Sequence, residues 1–151
     1  MLDTGDAAPE FELNDQEGEP VALSDYADQR VVLYFYPRAD TPGCTTEAAG
    51  FRDTLAEFQA RDVAVLGISD DPVADLAAFA EEYDLSFPLL SDEDGEVASA
   101  YDSYGEKNMF GDTFDGVFRN TYVVGTDGTI THVYEDVDPE GHAEELLADL
   151  D

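Results

Sequence analysis

Val31-Val32-Leu33-Tyr34-Phe35-Tyr36-Pro37-Arg38-Ala39-Asp40-Thr41-Pro42-Gly43-Cys44 carries the densest information in this chain. Its first six residues are apolar or aromatic on both faces, as a central strand of a sheet covered on both sides must be. Pro37 lacks the N–H that a ladder needs and ends the strand. Beyond Cys44, Phe51, Leu55 and Phe58 recur at helical spacing with Ala48 on the same side, so residues 44–60 read as an amphipathic helix. Cys44 therefore stands in or beside the first helical turn, after a strand-to-helix loop. Unpaired backbone N–H groups and the positive end of the helix dipole favour a thiolate there, and such loops commonly carry catalytic groups. The competing reading is a small buried hydrophobe. Against it, Cys44 is expected to lie outside the inward face set by Phe51 and Leu55.

Outward from this stretch the chain alternates. Phe11-Glu12-Leu13 and Val21-Ala22-Leu23 flank the turn-rich 14–20 and read as a short hairpin or two edge strands. Val63 to Ile68 is a second buried strand. Ser69-Asp70-Asp71-Pro72 reads as an acidic cap with proline at the first position of a helix reaching about Tyr83. Phe87 to Leu90 is a short strand, and Asp94 to Tyr101 a short helix or turn. Asn120 to Val124 and Thr129 to Tyr134 flank the turn Gly125-Thr126-Asp127-Gly128, a hairpin signal. Asp138-Pro139 opens a last helix with Ala143, Leu146, Leu147 and Leu150 facing inward. Asp102 to Phe118, with Lys107, Met109, Phe110 and Phe114, lacks periodicity and reads as a loop that covers something. The order implies one α/β domain over 1–151, with a mixed central sheet and helices on both faces.

Charge is the compositional anomaly. The 151 residues hold 37 acidic and 6 basic side chains, a formal net charge of -31. Such an excess repels phosphate backbones and anionic bilayers, which excludes electrostatic binding to nucleic acid or membrane. It also strains the fold by self-repulsion, which salt relieves. The acidic excess and near-absence of lysine resemble proteins of extreme halophiles and imply work in molar salt. The chain starts without a basic region or an apolar stretch, and its longest strongly apolar run, residues 31–36, is far too short to span a bilayer. A cytoplasmic location is expected. With one cysteine, no internal disulfide or all-cysteine metal site can form.

Around Cys44 the candidate partners are few. Thr41 stands three residues before it, where its hydroxyl can reach the sulfur or a bound substrate, or else cap the helix. Arg38 lies in the same loop, whereas Arg52 is expected in an ion pair or snorkelling. Arg119 begins the strand at 121–124, and it reaches the sulfur if that strand neighbours the central one. A fixed guanidinium would stabilise S⁻ and negative charge developing on a substrate oxygen. The negative protein opposes any thiolate, so local donors must outweigh the global field.

These residues resemble the peroxiredoxin family, specifically the bacterioferritin comigratory protein or peroxiredoxin Q subfamily. Pro37, Thr41 and Cys44 match its PxxxTxxC signature, within Thr41-Pro42-Gly43-Cys44-Thr45. The similarity extends through residues 5–11, Tyr34 to Pro37, Phe51-Arg52-Asp53, Gly67-Ile68-Ser69, residues 87–92, Arg119 to Tyr122 and Asp127-Gly128. It implies a thioredoxin-like fold and a thiol peroxidase acting on hydrogen peroxide and organic hydroperoxides, with no organic cofactor and no metal. Cys44 would become a sulfenic acid, Thr41 would orient thiolate and peroxide, and Arg119 would supply positive charge. Pro37 would shield the sulfur, and the N–H groups of Gly43 and Cys44 would complete the donor set.

Relatives carry a resolving cysteine five residues after the nucleophile, where this chain has Ala49, or in the next helix near 79–81, where it has none. An external thiol, a thioredoxin-like protein or a small cellular thiol, must then close the cycle. Monomer and weak homodimer both remain open. The alternative is a peroxide-sensing or holdase-like protein that uses Cys44 without turnover. A dithiol reductase would need Cys-x-x-Cys and a cysteine phosphatase Cys-x₅-Arg, and neither spacing is present. Asp92-Glu93-Asp94-Gly95-Glu96 lacks a full calcium-ligand pattern and reads as a solvated turn. His132, on a strand, and His142, on the last helix, are too few for a metal centre.

Overall fold

The computed structural model describes residues 2–109 and 111–150. In chain order its elements are β1 (Glu12–Asn14), β2 (Pro20–Ala22), β3 (Arg30–Phe35), α1 (Pro42–Ala60), β4 (Val63–Ser69), α2 (Val73–Tyr83), β5 (Leu89–Ser91), α3 (Glu96–Ala100), β6 (Tyr104–Met109), β7 (Asp112–Val117), β8 (Thr121–Val124), β9 (Ile130–Tyr134) and α4 (His142–Asp149). Seven strands form one sheet in the order β2-β1-β5-β4-β3-β8-β9. β3 pairs parallel with β4, and β4 with β5, while β8 runs antiparallel to β3 and β9 to β8. The sheet is mixed and thioredoxin-like, as expected.

Alternation along β3 divides the interior. Val32, Tyr34 and Tyr36 point into a cluster with Ala48, Phe51 and Phe58 of α1, Leu76 and Phe79 of α2, and Leu146 of α4. Val31, Leu33 and Phe35 point to the opposite face, against Ala98 of α3, Tyr101 and Tyr122. Both faces of β3 are covered, so every residue after Arg30 at its start is apolar or aromatic.

The antiparallel register of β8 decides where the chemistry lies. Tyr34 faces Thr121, and the Phe35 N–H donates to the Asn120 carbonyl at 2.8 Å. Arg119 is thereby brought beside the end of β3, where α1 begins. Its backbone is tied down on both sides: its carbonyl accepts from the Val137 N–H at 2.8 Å, and the buried Asn120 amide bonds Ser103 Oγ and the Asp136 N–H at 3.0 Å each.

Four local expectations require correction. Residues 102–118 are not a loop: β6 and β7 pair antiparallel from Tyr104↔Val117 to Met109↔Asp112. Their alternation is hidden because this separate ribbon is mostly polar, with Phe114 exposed. Phe110, assigned to the same stretch, lies outside the described residues. Pro72 is the N-cap of α2 rather than its first helical residue. The Asp71 carboxylate does not cap α2; it accepts from the Ala39 N–H at 2.7 Å and the Ser69 hydroxyl at 2.8 Å. Asp92 is buried, not solvated, and takes the Val97 and Ala98 N–H groups at the start of α3. The last helix begins at His142 after Gly141, whose φ of +78° is left-handed, not at Asp138-Pro139.

Gly67 of β4 faces Tyr34 across the parallel ladder. A Cβ there would meet Tyr34 Cζ at 2.8 Å and its hydroxyl at 2.9 Å. The Tyr34 ring cannot swing away, being stacked on Phe51 at 4.5 Å and Tyr36 at 5.4 Å between centroids. Replacing Gly67 by Ala is expected to cost about 1–3 kcal/mol by overpacking. Denaturant unfolding at constant high salt checks this; an unchanged midpoint contradicts it.

Candidate active site

α1 starts with Thr41 as N-cap and Pro42 within its first turn. Proline has no N–H, and the Thr41 carbonyl accepts the first helical bond from the Thr45 N–H at 2.8 Å. The Gly43 and Cys44 N–H groups are those that helix geometry leaves without an intrahelical acceptor. No side-chain cap takes them, because the Thr41 hydroxyl donates to the Arg38 carbonyl at 2.8 Å. Its proton thus directed away, the Thr41 oxygen keeps lone pairs free to accept.

Cys44 is 1 % exposed and belongs to the cluster of Ala48, Phe51 and Phe58. This corrects the expectation that it lies outside the inward face: Cys44, Ala48 and Phe51 lie one helical turn apart along a single stripe. Burial does not make the sulfur inert, because a cation meets it. Arg119 Nη2 lies 3.4 Å from Cys44 Sγ, and Nη1 donates to Glu47 Oε1 at 2.8 Å. Burial works against the guanidinium's charge, but Cys44 and Glu47 outweigh it and hold the Arg119 pKa above its ordinary value. The guanidinium can lie so close because residue 43 is glycine: a Cβ there would sit 3.0 Å from Nη2.

Glu47, which sequence reasoning did not single out, pairs with the same guanidinium. It is 1 % exposed, and its Oε2 meets no hydrogen-bond partner. Burial, only partly offset by Arg119, pushes its carboxyl up to about 7. In a chain with 37 acidic residues, one more carboxylate gives no signal by type. Its position three residues after Cys44, on the inward stripe, is the only hint.

Lys107, half-buried on β6, places its ammonium 5.8 Å from the Phe118 ring centroid. Burial and then Arg119 lower its pKa, while Cys44 and Asp70 favour its charge. Pro37 is half-buried at the end of the strand, and Arg38 is exposed. Arg52 pairs with Asp53 at 2.9 Å and reaches the Tyr83 carbonyl, as expected of a structural arginine. His142 is buried, with Nε2 3.0 Å from Thr121 Oγ1, and burial lowers its pKa. His132 lies on β9. Among the described residues no three His, Cys, Asp or Glu side chains gather as a metal site, and no helix is long and apolar enough to cross a membrane.

The arrangement is a buried sulfur faced by a guanidinium and flanked by two free N–H groups. The chain is similar to known proteins over nearly its whole length. The model of the AhpC/TSA family matches residues 4–133. The chain belongs to the AhpC/TSA family. The Peroxiredoxin Bcp of Escherichia coli K12 is 47 % identical over 146 residues, covering 97 % of this chain and 94 % of that protein. Among solved structures, a variant of PrxQ from Xylella fastidiosa superposes with a TM-score of 0.93 at 34 % identity, covering 99 % of this chain and 96 % of that one. The peroxidoxin BcpB of Mycobacterium tuberculosis superposes with a TM-score of 0.88 at 41 % identity, covering 99 % and 97 %. Within the family this is a one-cysteine peroxiredoxin of the Bcp and PrxQ type, a thiol-dependent peroxidase.

Glu47 gives a pH signature. A carboxyl raised from 4.5 to about 7 binds its proton more tightly in the folded state. Its contribution to stability is therefore fully present below pH 4.5 and is lost as pH rises towards 7. Thermal unfolding of wild type and Glu47→Gln, at fixed salt from pH 5 to 8, should show wild type losing ground to the variant as pH rises. A difference independent of pH contradicts the assignment.

Proposed function

We propose that Cys44 is the peroxidatic nucleophile and that Thr41, Arg119, Pro37 and the N–H groups of Gly43 and Cys44 form its site, within one domain spanning residues 1–151. The observation that carries this reading is the 3.4 Å contact of Arg119 Nη2 with Cys44 Sγ. It holds a positive charge against the sulfur in a protein of net charge -31. In the first step the Cys44 thiolate attacks the terminal oxygen of a hydroperoxide. An S–O bond forms, the O–O bond breaks, the sulfur is oxidised to a sulfenic acid, and the leaving oxygen takes a proton to depart as water or alcohol. Arg119 and the two backbone N–H groups stabilise the charge that builds on oxygen. The Thr41 oxygen accepts the peroxide's O–H, which orients it for in-line attack, and Pro37 limits water at the sulfur.

Hydrogen peroxide and organic hydroperoxides are the proposed substrates. With Cys44 the only cysteine, the sulfenic acid is recycled by an external thiol. A first thiol forms an S–S bond to Cys44 as water leaves, and a second thiol releases Cys44 and carries away the disulfide. The thiol donor is a thioredoxin-like protein or a small cellular thiol, and the enzyme acts in the cytoplasm as a monomer or weak homodimer.

We further propose that the acidic excess adapts the protein to molar salt, where the Debye length contracts from about 10 Å at 0.1 M to about 3 Å at 1 M. The melting temperature and turnover should both rise between those concentrations. Equal values at the two would remove this part of the reading.

The catalytic assignment is tested by peroxide consumption in high salt with excess dithiothreitol. Wild type should consume many equivalents; consumption of a single equivalent would indicate a sensor. Cys44→Ser should abolish turnover. Arg119→Ala should lower the second-order rate with hydrogen peroxide about 10²–10³-fold, the scale of losing a preorganised donor at a developing oxyanion. An unchanged rate removes Arg119 from the site.

A further inference from the structure

The Arg119 guanidinium stands at the end of a long stem in a chain with 37 acidic residues, so other carboxylates compete for it with Cys44 and Glu47. The connection between β9 and α4 is rich in such rivals: it reads Glu135-Asp136-Val137-Asp138-Pro139-Glu140. This segment is tied to the arginine itself. The Val137 N–H donates to the Arg119 carbonyl at 2.8 Å, and the Asp136 N–H donates to Oδ1 of the neighbouring Asn120 at 3.0 Å.

The acidic and apolar side chains of the segment part company. Glu135, Asp136, Asp138 and Glu140 are exposed and line a cleft of about 450 Å³, to which Pro139 does not contribute. Pro139 is half-buried and stands elsewhere. A Cβ on Gly43 would lie 3.6 Å from Pro139 Cγ, 3.0 Å from Arg119 Nη2 and 3.7 Å from Arg119 Cζ. Proline ring and guanidinium therefore converge over the bare Cα of Gly43, one residue before the sulfur that Nη2 contacts at 3.4 Å. The ring is held there from both sides of its own residue. Proline locks its φ, and Asp138 Oδ1 accepts from the Glu140 N–H at 3.0 Å, which closes a turn around Pro139 and occupies that carboxylate. The following helix, α4, packs on α1, where a Cβ on Gly50 would meet Ala143 Cβ at 3.6 Å.

We infer that Pro139 is a positioning residue: its ring backs the Arg119 guanidinium onto Cys44 and Glu47 and keeps the carboxylates of its own segment apart from it. Pro139 carries no charge and acts on the sulfur through Arg119. A rigid apolar side chain suits this place because it offers the guanidinium no rival acceptor. It also displaces water beside the contact, and charges attract more strongly where water is excluded. The inference rests on the peroxidase reading for its catalytic consequence, whereas the ionisation of the sulfur can be measured without turnover.

The test uses the full-length reduced protein in high salt and compares wild type with Pro139→Asp, Pro139→Asn and Pro139→Ala. Aspartate and asparagine share a shape and differ in charge, so the difference between those two variants reports on the guanidinium rather than on the turn. One arm follows the Cys44 thiolate by its ultraviolet absorbance against pH, with Cys44→Ser subtracted. The other measures single-turnover oxidation by hydrogen peroxide below both titration midpoints. Relative to Pro139→Asn, Pro139→Asp should move the Cys44 titration up by about one pH unit, the scale of a charge partner lost. Oxidation should then be about tenfold slower. Pro139→Ala, which removes the ring, should shift the titration in the same direction from wild type, and it decides alone if the aspartate variant does not fold. Coincident titrations of the Asp and Asn variants, or of Pro139→Ala and wild type where that pair decides, would overturn the assignment. A wild type that peroxide does not oxidise would sink the peroxidase reading instead, and the absorbance arm would still report on Pro139.

Discussion

Arg119 stands between the Cys44 sulfur and the Glu47 carboxyl, two groups buried together at the start of α1. Its guanidinium donates to Cys44 Sγ with one nitrogen and to Glu47 Oε1 with the other. Both partners are almost fully buried, so their interaction with it is screened far less than any surface pair. A net charge of -31 spread over the surface raises the cost of any further negative charge. A single cation at contact distance in a low-dielectric pocket outweighs many distant anions in salt, because Coulomb energy falls with distance and surface charges are screened. The site proposed around Cys44 depends on that inequality.

The scaffold exists to hold this contact. β8 lies antiparallel beside β3, which brings Arg119 to the strand end where α1 starts. Its neighbours are tied to Ser103, Asp136 and Val137, so the arginine stem emerges from fixed backbone. Beneath the sulfur, Tyr34, Tyr36 and Phe51 stack as one aromatic layer that fits only because residue 67 is glycine. Glu47, with one oxygen paired and the other without a partner, fills the remaining polar position. Such a half-satisfied carboxylate is costly when ionised, and its upward-shifted pKa is the physical expression of that cost.

Much of this was legible in the residues. The all-apolar 31–36, the helical spacing of Phe51, Leu55 and Phe58, and the 125–128 turn each reflect a local rule that tertiary context did not override. The failures have specific causes. The β6–β7 ribbon was missed because it lies outside the main sheet and most of it is glycine, polar or charged, its Tyr104–Val117 end packing on the core. Asp71 and Asp92 looked like solvated or capping acids, since acidic residues in an acidic chain carry no individual signal. In the folded protein both are buried and each takes two hydrogen bonds, Asp71 from nearby Ser69 and distant Ala39, and Asp92 from Val97 and Ala98 at the start of α3. Cys44 was placed off the inward face, although it shares that stripe with Ala48 and Phe51.

Taken alone, the sequence determined that a central strand runs into a loop and a helix with one cysteine at its start, and that no second thiol exists to pair with it. These are properties of residue type and short spacing. What surrounds that sulfur was decided by tertiary structure. Arg119 is 75 residues away from Cys44. A contact across such a separation follows from strand order and register, which set which backbone lies beside which. No local pattern of residues encodes that placement.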